Sequence, residues 1–122
     1  MNQSISIAAI GAGAWGRNLV KTLDQLGVLR VVAESAVGLR TPLQAAYPHL
    51  EIVDDALALL QRDDIDAVTI ATPAPTHHAL ARAFLLAGKD VFVEKPMTLT
   101  SAEATDLVQV AEENQRILMV GH

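Results

Sequence analysis

Along the chain, short runs that are apolar at both odd and even positions alternate with longer segments whose apolar residues recur every third or fourth position. The short runs, 5–10, 29–33, 51–53, 67–71, 90–93 and 117–120, read as strands. Ile5-Ser6-Ile7-Ala8-Ala9-Ile10 and Ala67-Val68-Thr69-Ile70-Ala71 show almost no polar alternation, the pattern of strands covered on both faces. The longer segments read as helices. Trp15 to Leu26 aligns Leu19, Val20, Leu23 and Leu26 on one stripe and stops at Gly27. His77 to Ala87 aligns Leu80, Ala83, Phe84 and Ala87, with Thr76 as the expected cap and Gly88 as the stop. Ser101, with Ala104, Leu107, Val108 and Ala111, starts another helix. Residues 55–61, carrying Leu57, Leu59 and Leu60, predict one more, while 40–46 is short and weakly patterned. Repetition of strand and helix predicts a Rossmann-type, doubly wound parallel sheet of three layers, α/β/α, with strand order 3-2-1-4-5-6.

Composition narrows this without altering it. The 122 residues are 51% hydrophobic and 19% charged, which describes one folded domain over 1–122. The absence of cysteine excludes disulfides and thiolate metal sites. Met1-Asn2-Gln3-Ser4 lacks the basic start and long apolar stretch of a signal peptide, so a cytoplasmic protein is expected. Nine basic against 14 acidic residues, with 3% aromatics, argue against nucleic-acid and anionic-membrane partners. Four scattered histidines without ligand spacing predict no metal; His49 and His78 read as surface residues. Arg62-Asp63-Asp64-Ile65-Asp66 reads as a solvated turn before a strand.

The chemistry begins at Gly11-Ala12-Gly13-Ala14-Trp15-Gly16, a G-x-G-x-x-G between a predicted strand and a predicted helix. Gly11 permits the tight turn, Gly13 admits a pyrophosphate to the backbone, and Gly16 allows close helix packing. Loop N–H groups, including that of Trp15, and the helix dipole then attract the phosphates. Glu34 ends the second strand 18 residues after Gly16, where a carboxylate accepts hydrogen bonds from an adenosine ribose. Its charge would repel a 2′-phosphate, favouring NAD; Ser35 and Arg40 leave NADP open.

Two further motifs fall at carboxyl ends of strands, Ala71-Thr72-Pro73-Ala74-Pro75-Thr76-His77 and Glu94-Lys95-Pro96. With the glycine loop and the closing Val120-Gly121-His122, they give the chain its resemblance to a known group. It resembles the N-terminal nucleotide-binding domain of the glucose–fructose oxidoreductase / inositol dehydrogenase / MocA family, over essentially its whole length. The resemblance implies an NAD(P)-dependent oxidoreductase acting on a sugar, polyol or related hydroxy substrate, in a parent that is a homo-oligomer. It implies that Lys95 lies beside the nicotinamide ribose and the substrate and assists proton transfer. Glu94 is implied as a ribose partner, and Pro96 as a rigid turn with a cis Lys95–Pro96 bond. Thr72, Pro73 and His77 are implied to line the cofactor near its diphosphate and nicotinamide ribose; His77 reads equally as an ordinary first-turn helix residue. The family's second domain, a β-sheet carrying the remaining acid–base residues, is absent. The chain stops after its last strand at the edge where ligands would sit, so a piece of a longer two-domain enzyme is expected. Two alternatives stay open. A non-catalytic NAD(H) sensor needs the glycine loop and Glu34 but not Lys95, and an S-adenosylmethionine-binding domain has no pyrophosphate to cradle.

Overall fold

A computed structural model describes residues 5–121; His122 lies outside them. Six parallel strands form one sheet: β1 (Ile7–Ile10), β2 (Leu29–Ala33), β3 (Glu51–Val53), β4 (Ala67–Ile70), β5 (Asp90–Glu94) and β6 (Leu118–Gly121). Their order is β3-β2-β1-β4-β5-β6, the order expected from the sequence. Alternate residues of β1 and β2 feed two separate cores. Ala8, Ile10, Val31, Ala33, Val68, Ile70, Val91 and Val93 face one core. That core is closed by α3 (His77–Leu86) and α4 (Ser101–Glu113) through Phe84, Leu85, Leu107 and Val110. Ala9 and Val32 face the other, under α1 (Gly16–Gln25) and α2 (Val37–Ala46), with Val20 and Leu43. Small and β-branched residues at both parities are thus required by helices on both faces.

Three local expectations change. The segment 55–61 forms only a single 3-10 turn, Ala56–Leu59, started by Asp55, whose Oδ1 accepts from Leu57 N at 3.0 Å. Of its leucines only Leu59 is buried in full, too little to anchor a longer helix. Conversely, α2 runs a full ten residues from Val37 with Pro42 inside it. Its pattern is faint because Leu43 alone is buried. Thr76 does not cap α3 through its side chain. Its hydroxyl lies 2.6 Å from both Thr72 Oγ1 and the Pro73 carbonyl, closing a turn at the β4 exit instead.

The topology sets the working edge. From β1 the chain crosses over to β2 on one side, whereas β4 pairs with β1 on the other. The carboxyl ends of β1 and β4 therefore flank the point where winding reverses, the position at which open α/β sheets bind ligands.

Candidate functional site

The loop from β1 to α1 is built by steric necessity. Gly11 has φ +91°, and a Cβ there would lie 2.6 Å from the Ala71 carbonyl oxygen of the β4 exit. A Cβ on Gly16 would collide with the Gly11 carbonyl oxygen and press on Ala71 Cβ. These two glycines let the loop fold back on itself and on β4. Gly13 differs: among the described residues, a Cβ there meets nothing within 4 Å. It borders a cleft of about 620 Å³ that also touches Glu34, Ser35, Asp54, Asp55, Thr72 and Pro73. Space left open by the missing side chain is what close approach of a phosphate requires. The first helical bond is Arg17 N to Gly13 O, 3.0 Å, so the amides before Arg17 have no partner within the helix. No acidic side chain occupies the first turn of α1 to oppose an anion.

Glu34 is buried, with 8% exposure. Its Oε1 accepts from Ala12 N at 2.7 Å and its Oε2 from Ala36 N at 2.9 Å. The carboxylate thus fastens the glycine loop to the end of β2, and the Ala12 amide is spent on it rather than held for phosphate. A carboxylate oxygen can accept more than one hydrogen bond, so these two bonds do not exhaust its acceptor capacity. Arg40 Nη1 donates to the Glu34 and Ser35 carbonyls at 2.9 and 2.8 Å, placing its charge beside the same corner. Asp54 and Asp55, at the exit of β3, line this end too. The sequence reading missed them, although carboxylates directly after a short apolar strand belong to this edge by topology.

A second cavity, about 450 Å³, adjoins the first at Ala71 and Thr72 and is bordered by Trp15, Ala74, His77, Glu94 and Lys95. The Lys95–Pro96 bond is cis, as expected. Lys95 itself is exposed, because it follows the last paired residue of β5, Glu94. His77 is 2% exposed, and its Nδ1 and Nε2 lie 2.7 and 2.8 Å from the Pro96 and Thr72 carbonyl oxygens. It ties the β5 exit to the β4 exit, so it shapes the cavity wall more than it offers a free ring nitrogen. Trp15 Nε1 donates to Glu94 Oε1 at 2.6 Å, spanning from the glycine loop to β5. His78, by contrast, bonds Asp106 at 2.8 Å away from the edge, and His49 bonds Asp24 at 2.8 Å.

The two cavities together form an elongated crevice along the carboxyl edge, with a phosphate-ready helix start at its middle. That shape fits a dinucleotide. Residues 5–122 match the model of the GFO/IDH/MocA oxidoreductases, described as an oxidoreductase family with an NAD-binding Rossmann fold; the chain belongs to this family. It is 34% identical to an inositol 2-dehydrogenase from Rhodococcus erythropolis, over 98% of this chain and 36% of that protein. It is 37% identical to a UDP-N-acetylglucosamine 3-dehydrogenase from Acidithiobacillus ferrooxidans, over 93% of this chain and 35% of that protein. Among solved structures it resembles a 3-ketoreductase from Actinomadura kijaniata in complex with NADP and TDP-benzene. The TM-score there is 0.86 at 29% identity, covering 98% of this chain and 37% of that one. The chain spans about a third of the length of the relatives it matches.

Proposed function

We propose that this chain is the dinucleotide-binding domain of an oxidoreductase that transfers hydride between a nicotinamide and a hydroxyl-bearing carbon of a sugar- or polyol-type substrate. The observation that carries the reading is the continuous crevice linking Glu34, the open face of Gly13 and Lys95 on one edge. In this reading the amides of residues 13–16 hold the diphosphate, and Glu34 accepts from the adenosine ribose while anchoring the loop. Ala71, Thr72 and Pro73 form the floor, and Lys95 Nζ gives or takes the proton of the substrate hydroxyl. The bound nicotinamide supplies or accepts the hydride. Lys95 is what a pure NAD(H) sensor would have no use for, and the complete glycine motif is what an S-adenosylmethionine domain would not need.

The substrate half would come from a further domain. Supporting this, α1 and α2 cover β1 to β3, whereas on the same sheet face Phe92 is only half-buried and Met119 is exposed. The relatives' greater length points the same way.

Glu34, Asp54 and Asp55 surround the adenosine end with negative charge, against one guanidinium, so NAD should bind more tightly than NADP. Calorimetric titration of the chain with NADH and NADPH checks this. Glu34→Ala should narrow the gap, and should weaken both ligands because the Ala12 and Ala36 amides lose their acceptor. Tighter NADPH binding by the unaltered chain would overturn the assignment of Glu34.

A further inference from the structure

We propose that the Trp15 indole is the surface on which the nicotinamide ring packs, with Glu94 a positioning residue that sets the angle of that surface; this rests on the dinucleotide reading above. Trp15 is the only tryptophan in the chain. It stands at the N-cap of α1, a position that favours Ser, Thr, Asp or Asn, and it makes no side-chain capping bond. Nothing in the start of the helix accounts for a large aromatic there. The residue is 54% exposed, yet its orientation is fixed, because Nε1 donates to Glu94 Oε1 at 2.6 Å. That bond reaches from the glycine loop, across the β4 exit, to the β5 exit. It engages the indole's one polar atom, so a ligand meets the ring as an apolar surface.

Trp15 borders the 450 Å³ cavity together with the small residues Ala71, Thr72 and Ala74 and with Lys95. Trp15 does not border the 620 Å³ cleft that would hold the adenosine. A nicotinamide is flat and electron-poor, and cationic when oxidised, and indole is the side chain with the strongest attraction for such a ring. The contribution of Trp15 should therefore fall on the nicotinamide and spare the ADP-ribose part of the molecule.

The test is titration of NAD⁺ and of ADP-ribose into the chain, by calorimetry and by Trp15 emission, repeated on Trp15→Leu, Glu94→Ala and Glu94→Gln. NAD⁺ should quench the emission and ADP-ribose should leave it nearly unchanged. Trp15→Leu should weaken NAD⁺ roughly three- to tenfold, the scale of one aromatic stacking contact, while leaving ADP-ribose within about twofold. Glu94→Ala should show the same split with less quenching of the retained indole. Glu94→Gln, which keeps an acceptor for the indole N–H, should restore both. Equal losses for the two ligands, an unchanged NAD⁺ affinity, or equal quenching by both would overturn the proposal and leave the dinucleotide reading standing. Failure of the unaltered chain to bind either ligand would remove both.

Discussion

At the scale of single residues, the three glycines of one motif do two different jobs, and the geometry separates them. Gly16 has the Gly11 carbonyl where a Cβ would go, and both atoms belong to backbone that is held at each end. Gly16→Ala should therefore destabilise the chain by more than about 1 kcal/mol, the scale for alanine forced into an incompatible site. Gly13 has nothing among the described residues within 4 Å of its would-be Cβ. Gly13→Ala should leave the melting temperature nearly unchanged and cost dinucleotide affinity at least tenfold, because the added methyl occupies the phosphate's approach. Thermal melts and NADH titrations of the two variants form a matched pair. A Gly13→Ala chain that binds as well as its parent would remove the phosphate from this loop. Glu34 shows the same doubling of roles: it holds the loop by two amides and faces the cleft at once. Burial of the Glu34 side chain is tolerated here because both oxygens receive N–H donors.

At the scale of elements, the sheet order and the long helices were readable because their residues repeat the periods that burial imposes. β1 and β2 are apolar at both parities since two cores need them, and α3 buries Phe84 of its expected stripe together with Ala81 and Leu85, leaving Leu80, Ala83 and Ala87 half-buried. What escaped reading was held by side chains rather than by pattern. The turn before β4 is fastened to β3 by Arg62, which donates to Glu51 at 2.8 and 3.0 Å and to Asp64 at 2.9 and 2.7 Å. No hydrophobic period reports such a clasp. Likewise, His77 reaches the carbonyl of Pro96, 19 positions on, and Trp15 reaches Glu94, 79 positions on. The motifs named the participants, but not whom they touch. The clasp has a pH consequence. Hydrogen bonding to the Arg62 guanidinium lowers the Asp64 carboxyl to about 2, below its usual value of 3.8. A depressed folded-state value means the clasp stabilises fully above about pH 4 and is lost as pH falls from there towards 2. Arg62→Met should lower the melting temperature at pH 7, and the difference from the parent should shrink across that window. A difference of constant size from pH 7 to pH 2 would show that Asp64 gains nothing from Arg62. Asp106 follows the same sign between α3 and α4, lowered first by His78 and then by Arg82.

At the scale of the whole molecule, the proposed function separates binding from chemistry along the crevice. The adenosine end is walled by four strand exits, β1 to β4, and by the 3-10 turn at Ala56. The Lys95 end is walled by the exits of β4 and β5 and by Trp15, and Lys95 stands exposed to solvent. Hydride transfer needs water excluded and the reacting carbon held within near-contact distance of the nicotinamide, which one wall cannot do. The chain alone should therefore bind NAD(H) and yet give no NADH from NAD⁺ with a panel of sugars and polyols. NADH formation that scales with chain concentration would contradict this division. Where the chain is joined to the remainder of its longer protein, Lys95→Ala should lower kcat by roughly 10²- to 10⁴-fold, the range of a general acid–base group, with little change in NAD affinity. The asymmetry follows from position. In the proposed reading the diphosphate and adenosine would lie against the other exits of the sheet, so removing the exposed Lys95 side chain at the β5 exit would deprive the substrate hydroxyl of its proton partner and leave the cradle intact. An equal loss in kcat and in NAD affinity would instead make Lys95 a binding residue.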